Sequence, residues 1–342
     1  MPAEALAAAI RRLAHGGSLS ADDAAAAFGD VMRGDATAAQ VSALLMALRV
    51  KGENPDEVAG AARALRDAML RLKADDPHLL VDTCGTGGGA VATFNISTAA
   101  ALVAAGAGAR IAKHGNRSFT SRSGSADVLE ALGVRIDVTA EVMERSLRDA
   151  GIVFMFAPLM HPAMRHVGPI RRELAIPTVM NIVGPLANPA GAGRQVVGVA
   201  DVARLPLIAG ALLALGSVHA MVVHGEPGLD EVSPLGPTTV IEIVKGKTRE
   251  WTIDPAEHGL TGYGAADLAG GEPADNAAVI EAVLAGAGTP GARAAVVLNA
   301  AAALYVGGQA GDYGAGVAAA TKAIDDRSGL AALRRLRRAT GG

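Results

Sequence analysis

The sequence predicts an α/β protein: a small N-terminal α-helical domain plus a large α/β domain with a mainly parallel central sheet. Three observations carry this. Roughly the first seventy residues hold helix starts and stops and no strand candidate. From residue 78 onward short apolar runs alternate with helical stretches, the pattern of strands joined by helical crossovers. Half of the 342 residues are hydrophobic while only 3% are aromatic, so burial rests on Ala, Val, Leu and Ile, which let helices pack closely on a sheet.

The elements follow in order. Ser20 can cap a helix over 21–32, with Asp23 in its first turn and Gly34 ending it. Thr37 and Gln40 form a capping-box pattern ahead of an apolar helix that stops at Gly52. Asn54-Pro55-Asp56-Glu57 supplies the cap, first-turn proline and first-turn acids of a helix running to about residue 72. Residues 78–84 read as a short apolar strand, 97–106 as a helix, 110–112 as a second strand and 125–132 as a helix. Buried strands are expected over 151–157, 195–200 and 219–224, with helices over 140–150 and 205–215 between them. Residues 238–244 and 248–253 look like a hairpin pair, and 293–305 like a final apolar helix. The Gly/Pro/Ala-rich stretch 185–193 reads as a crossing between subdomains.

Charge and composition narrow the function classes. Lys plus Arg number 31 and Asp plus Glu 34, a net charge of -3, which argues against nucleic acid or an acidic membrane surface as the main partner. Cys84 is the one cysteine, so neither a disulfide nor a Cys-based metal cluster can form within the chain. The first residues carry Glu4 and an amphipathic pattern rather than a basic start and a cleavable apolar core. The most apolar run, 205–223, opens with Leu-Pro and contains Gly210, Gly216, Ser217 and His219, and reads as a buried helix running into a strand rather than a membrane span. A cytoplasmic protein is expected.

The first candidate site is Gly85-Thr-Gly-Gly-Gly89, between a predicted strand and a predicted helix. Glycines there let backbone amides approach an anion, and a helix N-terminus adds partial positive charge. The spacing of Gly85, Gly87 and Ala90 also fits a dinucleotide fingerprint. That fingerprint needs an acid about 20 residues on, to hold ribose hydroxyls. Between Thr83 and Ala126 there is no Asp or Glu, while Arg110, Lys113, His114, Arg117 and Arg122 fall in the same window. The window therefore suits a strongly negative ligand such as a pyrophosphate or a phosphorylated sugar. Asn95, Ser97 and Thr98 add an amide and hydroxyls at the next helix start, where capping is the plainer role. Ser121, Ser123 and Ser125, around Gly124, make a second hydroxyl-rich turn suited to a second phosphate.

Asp230 and Glu231, on a loop flanked by Pro227, Gly228 and Pro234, are the counterweight to this basic stretch. Adjacent carboxylates suit Mg²⁺, whose remaining shell comes from waters and substrate phosphate. His161, His166, Arg171 and Arg172 lie near apolar Met155, Phe156, Leu159 and Met160, a setting for a flat aromatic acid with one arginine forked onto its carboxylate. Arg172 is expected to be a helix-surface residue. Cys84 abuts the loop, but nothing there activates it as a nucleophile.

The motifs GTGG…NIST, KHGNRS, SGSADVLEALG, HPAMRHV…IRRELAIPTVMNIVGPLANP and GLDEVS, in order and spacing, resemble the anthranilate phosphoribosyltransferase family from about Ser20 to Gly308. The resemblance implies the second step of tryptophan biosynthesis, carried out by a homodimer. It implies a small domain over 1–74 with a returning segment at about 167–193, and a large domain over 75–166 and 194–342. Gly85, Gly87, Gly88, Thr93, Asn95, Ser97, Thr98, Lys113 and Ser125 would hold phosphoribosyl pyrophosphate. Asp230, Glu231 and Ser97 would hold two Mg²⁺. His114, Asn116 and Arg171 fall on the anthranilate side, Arg171 gripping the carboxylate, and Lys113, Asn116 and Arg171 form the catalytic set. The family loop GTGGDG reads GTGGGA here, so Gly89 stands where an aspartate is usual. A pyrimidine nucleoside phosphorylase shares the implied fold, but residues 113–118 and the Asp230-Glu231 pair favour the transferase.

Overall fold

A computed structural model describes residues 3–118 and 122–342. Four helices open the chain: α1 (Glu4–Ala14), α2 (Ala21–Arg33), α3 (Ala38–Lys51) and α4 (Pro55–Asp67). Their boundaries follow the caps written in the sequence. Ser20 Oγ accepts from the Asp23 amide at 3.1 Å, and Thr37–Gln40 and Asn54–Glu57 close reciprocal capping boxes. Gly34, at φ 80, ends α2. Much later in the chain, α9 (Gly168–Leu174) packs on α3, and α10 (Met180–Val183) on α4.

The rest is built on one seven-stranded sheet of order β3-β2-β1-β4-β5-β6-β7. The strands are β1 (Val81–Gly85), β2 (Ile111–Gly115), β3 (Ile152–Phe156), β4 (Arg194–Gly198), β5 (His219–Gly225), β6 (Thr238–Val244) and β7 (Lys247–Ile253). β1 to β5 are parallel, and β6 and β7 add an antiparallel edge. Helices α5 (Ile96–Gly106), α6 (Ser125–Ala131), α7 (Ala140–Ala150), the single turn α8 (Ala157–Met160) and α11 (Leu205–Ala214) lie along the crossovers. Along β5, Met221 and Val223 point into the core formed with α5, while Ala220 and Val222 point into the core shared with α11 and the N-terminal helices. The chain runs outward from β1 to β2 and β3, then returns to the other side of β1 as β4. This reversal opens a crevice at the carboxyl ends of β1 and β4, where ligands of such sheets bind.

Four boundaries differ from the sequence reading. α4 stops at Asp67 rather than near 72, because Leu70 and Leu72 donate their amides to Met160 O and Pro189 O. β1 starts at Val81, since residues Pro77–Leu79 form a 3-10 turn. β2 runs to Gly115 and so includes Lys113 and His114. The apolar helix read over 293–305 is α13 (Pro290–Gly307), and it is not the last. α12 (Pro273–Leu284) precedes it, and α14 (Tyr313–Asp325) and α15 (Ser328–Thr340) follow. The alanine- and arginine-rich ending gives α15 one apolar stripe, Ala332, Leu333 and Leu336, which docks beside α5 and α7. No helix among the described residues is long and apolar enough to cross a membrane.

Candidate active site

The loop after β1 turns on Gly87 and Gly88, at φ 70 and 80, a backbone region that side chains other than glycine rarely adopt. Several loop amides are committed internally. Thr86 N–H goes to Gly198 O, Ala90 N–H to Gly228 O, and Gly87 N–H to Asp230 Oδ2 at 2.8 Å. The amides of Gly88 and Gly89 take part in no such bond. The carboxylate loop that follows β5 lies directly against β1 and β4. A Cβ on Gly85 would sit 2.5 Å from Asp230 Oδ2, and one on Gly198 1.7 Å from Asp230 O. Both strand ends therefore require glycine, and the glycine loop and the acidic loop form one unit.

Glu231 Oε1 accepts the Ser97 amide at 3.1 Å, placing a carboxylate at the N-terminus of α5, where the helix dipole favours it. Burial, and then the neighbouring Asp230, push Glu231 up to about 8; burial raises Asp230 too. Backbone amides and the Ser97 hydroxyl hold these acids, and no cationic side chain forms an ion pair with them among the described residues. Two half-buried carboxylates that resist carrying their charge alone fit a divalent cation. No third His, Cys, Asp or Glu joins them among the described residues. That donor set fits Mg²⁺, which binds through one or two carboxylates and completes its shell with water and phosphate.

Lys113 reaches the same place from β2. It is buried, and its ammonium donates to Thr83 O at 2.5 Å, and to Thr83 Oγ1 and Ser97 Oγ at 3.3 Å. Burial pulls its pKa down, while Asp82 and Glu231 oppose the shift. Gly87, Asp230, Glu231, Ser97 and Lys113 are thus brought together. A cavity of about 10 Å³, room for one water, lies under them, lined by Thr83, Cys84, Ser97, Val196, Glu231 and Asn299 among others.

The remaining expected residues are placed as follows. Thr93 forms an isolated bridge with Ala269. Asn95 sits at the N-cap of α5 without capping through its side chain. Its carbonyl instead accepts from Ser123 Oγ and from Asn276 Nδ2, at 3.1 and 2.9 Å, and its amide donates to Ser123 O. Thr98 is buried inside α5, and its hydroxyl has no hydrogen-bond partner among the described residues. Ser125 begins α6 and donates to Asn116 O at 3.4 Å, while Asn116 Oδ1 accepts from Arg117 N. Ser121 lies outside the described residues.

The His114 and His161 rings lie 4.9 Å apart, tilted by 54°, with their Nε2 atoms 3.1 Å apart, so one ring donates and the other accepts. Burial lowers both, to about 3 for His114, with help from His161 and Lys113, and to about 4 for His161. Both are neutral near pH 7. Arg171 lies half-buried on α9, its pKa lowered by burial, and no carboxylate pairs with it among the described residues. Arg172 is exposed, as expected. Cys84 is inert: burial raises its thiol well above the ordinary value, and Asp82, Glu231 and Asp230 add to that.

Four supporting residues escaped the sequence reading. Asp82 and Asn188 are buried between β1, β2 and the 185–193 crossing. Asn276 fixes Asn95. Asn299, in the apolar α13, brackets the carboxylate loop: its side chain accepts from Val232 N and donates to Val232 O, both at 2.8 Å. The signal for Asn299 was a lone amide inside a run of Ala, Val and Leu.

Residues 77–332 match the Glycosyl transferase family, a/b domain, and residues 7–69 match its helical bundle domain. An anthranilate phosphoribosyltransferase of Anaeromyxobacter sp. (strain K) is 49% identical over 97% of this chain and 98% of its own length. The crystal structure of anthranilate phosphoribosyltransferase from Thermus thermophilus superimposes with a TM-score of 0.92 at 39% identity, covering 98% of this chain and 99% of that one. The enzyme from Saccharomyces cerevisiae in complex with PRPP and Mg superimposes at 0.87 with 29% identity, over 98% of both chains. Its complex with 4-fluoroanthranilate gives 0.86 at 28%, over 99% and 98%. This chain belongs to the anthranilate phosphoribosyltransferase family of glycosyl transferases.

Proposed function

We propose that the chain transfers the 5-phosphoribosyl group of phosphoribosyl pyrophosphate to the amine of anthranilate, giving N-(5-phosphoribosyl)anthranilate and pyrophosphate in tryptophan biosynthesis. The observation that carries this is the continuous contact from Gly87 through Asp230, Glu231 and Ser97 to Lys113, a diphosphate-sized set of anion and cation groups at the carboxyl ends of two adjacent strands. Gly85, Gly87, Gly88, Thr93, Asn95, Ser97, Thr98, Lys113 and Ser125 are the residues assigned to the phosphorylated substrate. His114, Asn116 and Arg171 are assigned to anthranilate.

Two Mg²⁺ per chain would be held by Asp230 and Glu231 and by Ser97, and would supply charge neutralisation of the leaving diphosphate. The amine nitrogen bonds to the anomeric carbon as the carbon–oxygen bond to diphosphate breaks, and the amine then sheds one proton. An arylamine is uncharged near pH 7, so no strong base is required before attack. The chain contributes position and charge: Lys113 and the Gly88 and Gly89 amides face the diphosphate, and the unpaired Arg171 guanidinium forks onto the carboxylate. The neutral His114–His161 pair offers an uncharged surface that does not compete for that carboxylate. A homodimer in the cytoplasm, with residues 1–74 and 167–193 as the smaller body, completes the reading.

Purified protein with Mg²⁺ and both substrates should consume anthranilate, followed by its fluorescence, and yield the phosphoribosyl adduct. Glu231→Gln should abolish the metal-dependent rate. Absence of adduct at millimolar substrates sinks the assignment.

A further inference from the structure

β1 and β2 are parallel neighbours, yet only Val81 and Ile111 stand in register. The flanking ladders, β1 with β4 and β2 with β3, each hold five pairs. In a regular parallel ladder the next rung would pair the N–H and C=O of Thr83 with Ala112 O and His114 N–H. Three of these four groups are instead answered by side chains. Ala112 O accepts from Asn188 Nδ2 at 2.8 Å, and His114 N–H donates to Asp82 Oδ1 at 3.2 Å. Thr83 O accepts from the Lys113 ammonium. Asn188 Nδ2 closes the set by donating to Asp82 Oδ2 at 2.7 Å.

Asn188 has no valence left over. Its carbonyl accepts from Ala190 N and Ala192 N, at 2.9 and 3.4 Å, within the crossing that leads from α10 back to β4. Leaving a rung unpaired in a buried sheet is unfavourable unless its groups find other partners, and here side chains answer both carbonyls and the His114 amide. The opened rung makes room for the Lys113 side chain to lie between the strands with its ammonium on Thr83 and Ser97. It also fixes the backbone of His114.

We propose that Asp82 and Asn188 are positioning residues, a side-chain rung that holds β2 away from β1 and ties Lys113 and His114 to the interdomain crossing. Neither is itself assigned to a substrate; of His114, Asp82 bonds only the backbone, and both act through Lys113 and His114. The catalytic part of this inference rests on the function proposed above, and the structural part does not.

The test is a double-substitution cycle. Asp82→Asn sets an NH₂ against donors, and Asn188→Asp sets an oxygen against the Asp82 carboxylate and Ala112 O. Combining them restores one donor–acceptor pair. Each single variant should lose about 10-fold or more in kcat, assayed well below its unfolding temperature, and the double variant should lose clearly less than the product of the two. Hydrogen–deuterium exchange without substrate should show the amide of His114 exposed in Asp82→Asn while β4 and β5 stay protected. Asn188→Ser, which keeps one donor, serves if the harsher variants fail to fold, and should shift both readouts in the same direction by less.

Folded single variants with unchanged kcat and lowered unfolding temperature would reduce the pair to a structural role. So would losses that simply multiply in the double variant. If the wild-type chain itself forms no adduct, the function is wrong, and the His114 exchange then decides the rung by itself.

Discussion

Asn299→Ala should loosen the loop proposed to hold Mg²⁺ from behind, without touching Asp230 or Glu231. Asn299 is buried in α13 and makes three hydrogen bonds, with Val232 N, Val232 O and Ala295 O at 2.8, 2.8 and 2.9 Å. Ala295 O keeps its place in the helix after the substitution, but the Val232 amide and carbonyl lose the partner that brackets them. Two buried backbone groups left unanswered, at about 1–2 kcal/mol each, give a destabilisation of about 2–4 kcal/mol. At about 2.1 cal/mol/K of unfolding entropy per residue, a chain of 342 residues shifts by about 1.4 °C per kcal/mol, so the melting temperature should fall by about 3–6 °C. Val232 follows Glu231 directly, so the second consequence is functional. Carboxylates that are less well oriented bind Mg²⁺ more weakly, and the metal concentration for half-maximal rate should rise by about 10-fold, the lower end of what removing a supporting group at a metal site produces. The assay is calorimetry followed by an Mg²⁺ titration of anthranilate consumption. A variant that melts within about 1 °C of the wild type (well below the roughly 3 °C expected) with the same Mg²⁺ dependence would show that Asn299 does not hold this loop.

Two further outcomes follow from local geometry. Glu242 is fully buried on β6; burial pushes it up, but bonds from His219, Arg249 and Tyr305 prevail and hold it at about 2, with Trp251 Nε1 also donating. A depressed carboxylate stabilises the fold fully above its unfolded value near 4.5, and that contribution is lost as pH falls toward about 2. Its size is on the order of 3 kcal/mol, so Glu242→Gln should lower stability at pH 7 and flatten the acid slope of urea unfolding; an unchanged slope would refute the network's role. Gly89→Asp needs a small shift of the acidic loop, since a Cβ there would lie 3.1 Å from Gly228 O and 3.4 Å from Asp230 Oδ1. It adds a third acid beside Asp230, which strengthens the proposed cation site, so the Mg²⁺ concentration for half-maximal rate should fall, and an Mg²⁺ titration superimposable on the wild type would contradict this placement.

The parts of the fold that were legible are those written in short-range chemistry. Ser20, Thr37–Gln40 and Asn54–Glu57 announced α2, α3 and α4 because a cap is a contact between residues three apart. Where α4 stops was not legible, because the bonds that draw Leu70 and Leu72 into extended chain end on Met160 and Pro189, far along the sequence. The glycine loop and the acidic pair stood out by charge: a long window without acids, then Asp230-Glu231. What charge could not give was their mutual commitment, in which Gly87 N–H is already held by Asp230.

The supporting amides mark the deeper limit. Asp82 reads as one acid in an apolar strand, and Asn188 as one asparagine in a proline-rich loop. Neither has a neighbour in sequence that explains it. Their meaning lies in a ladder that stops after one rung, and a broken ladder leaves no mark on hydrophobic periodicity. It leaves unpaired backbone groups that only the assembled sheet reveals, and polar side chains from distant segments answer them. Buried Asp and Asn residues beside a buried lysine are therefore best read by asking which backbone groups they satisfy. At this site the answer joins the glycine strand, the lysine strand and the interdomain crossing in one hydrogen-bonded set.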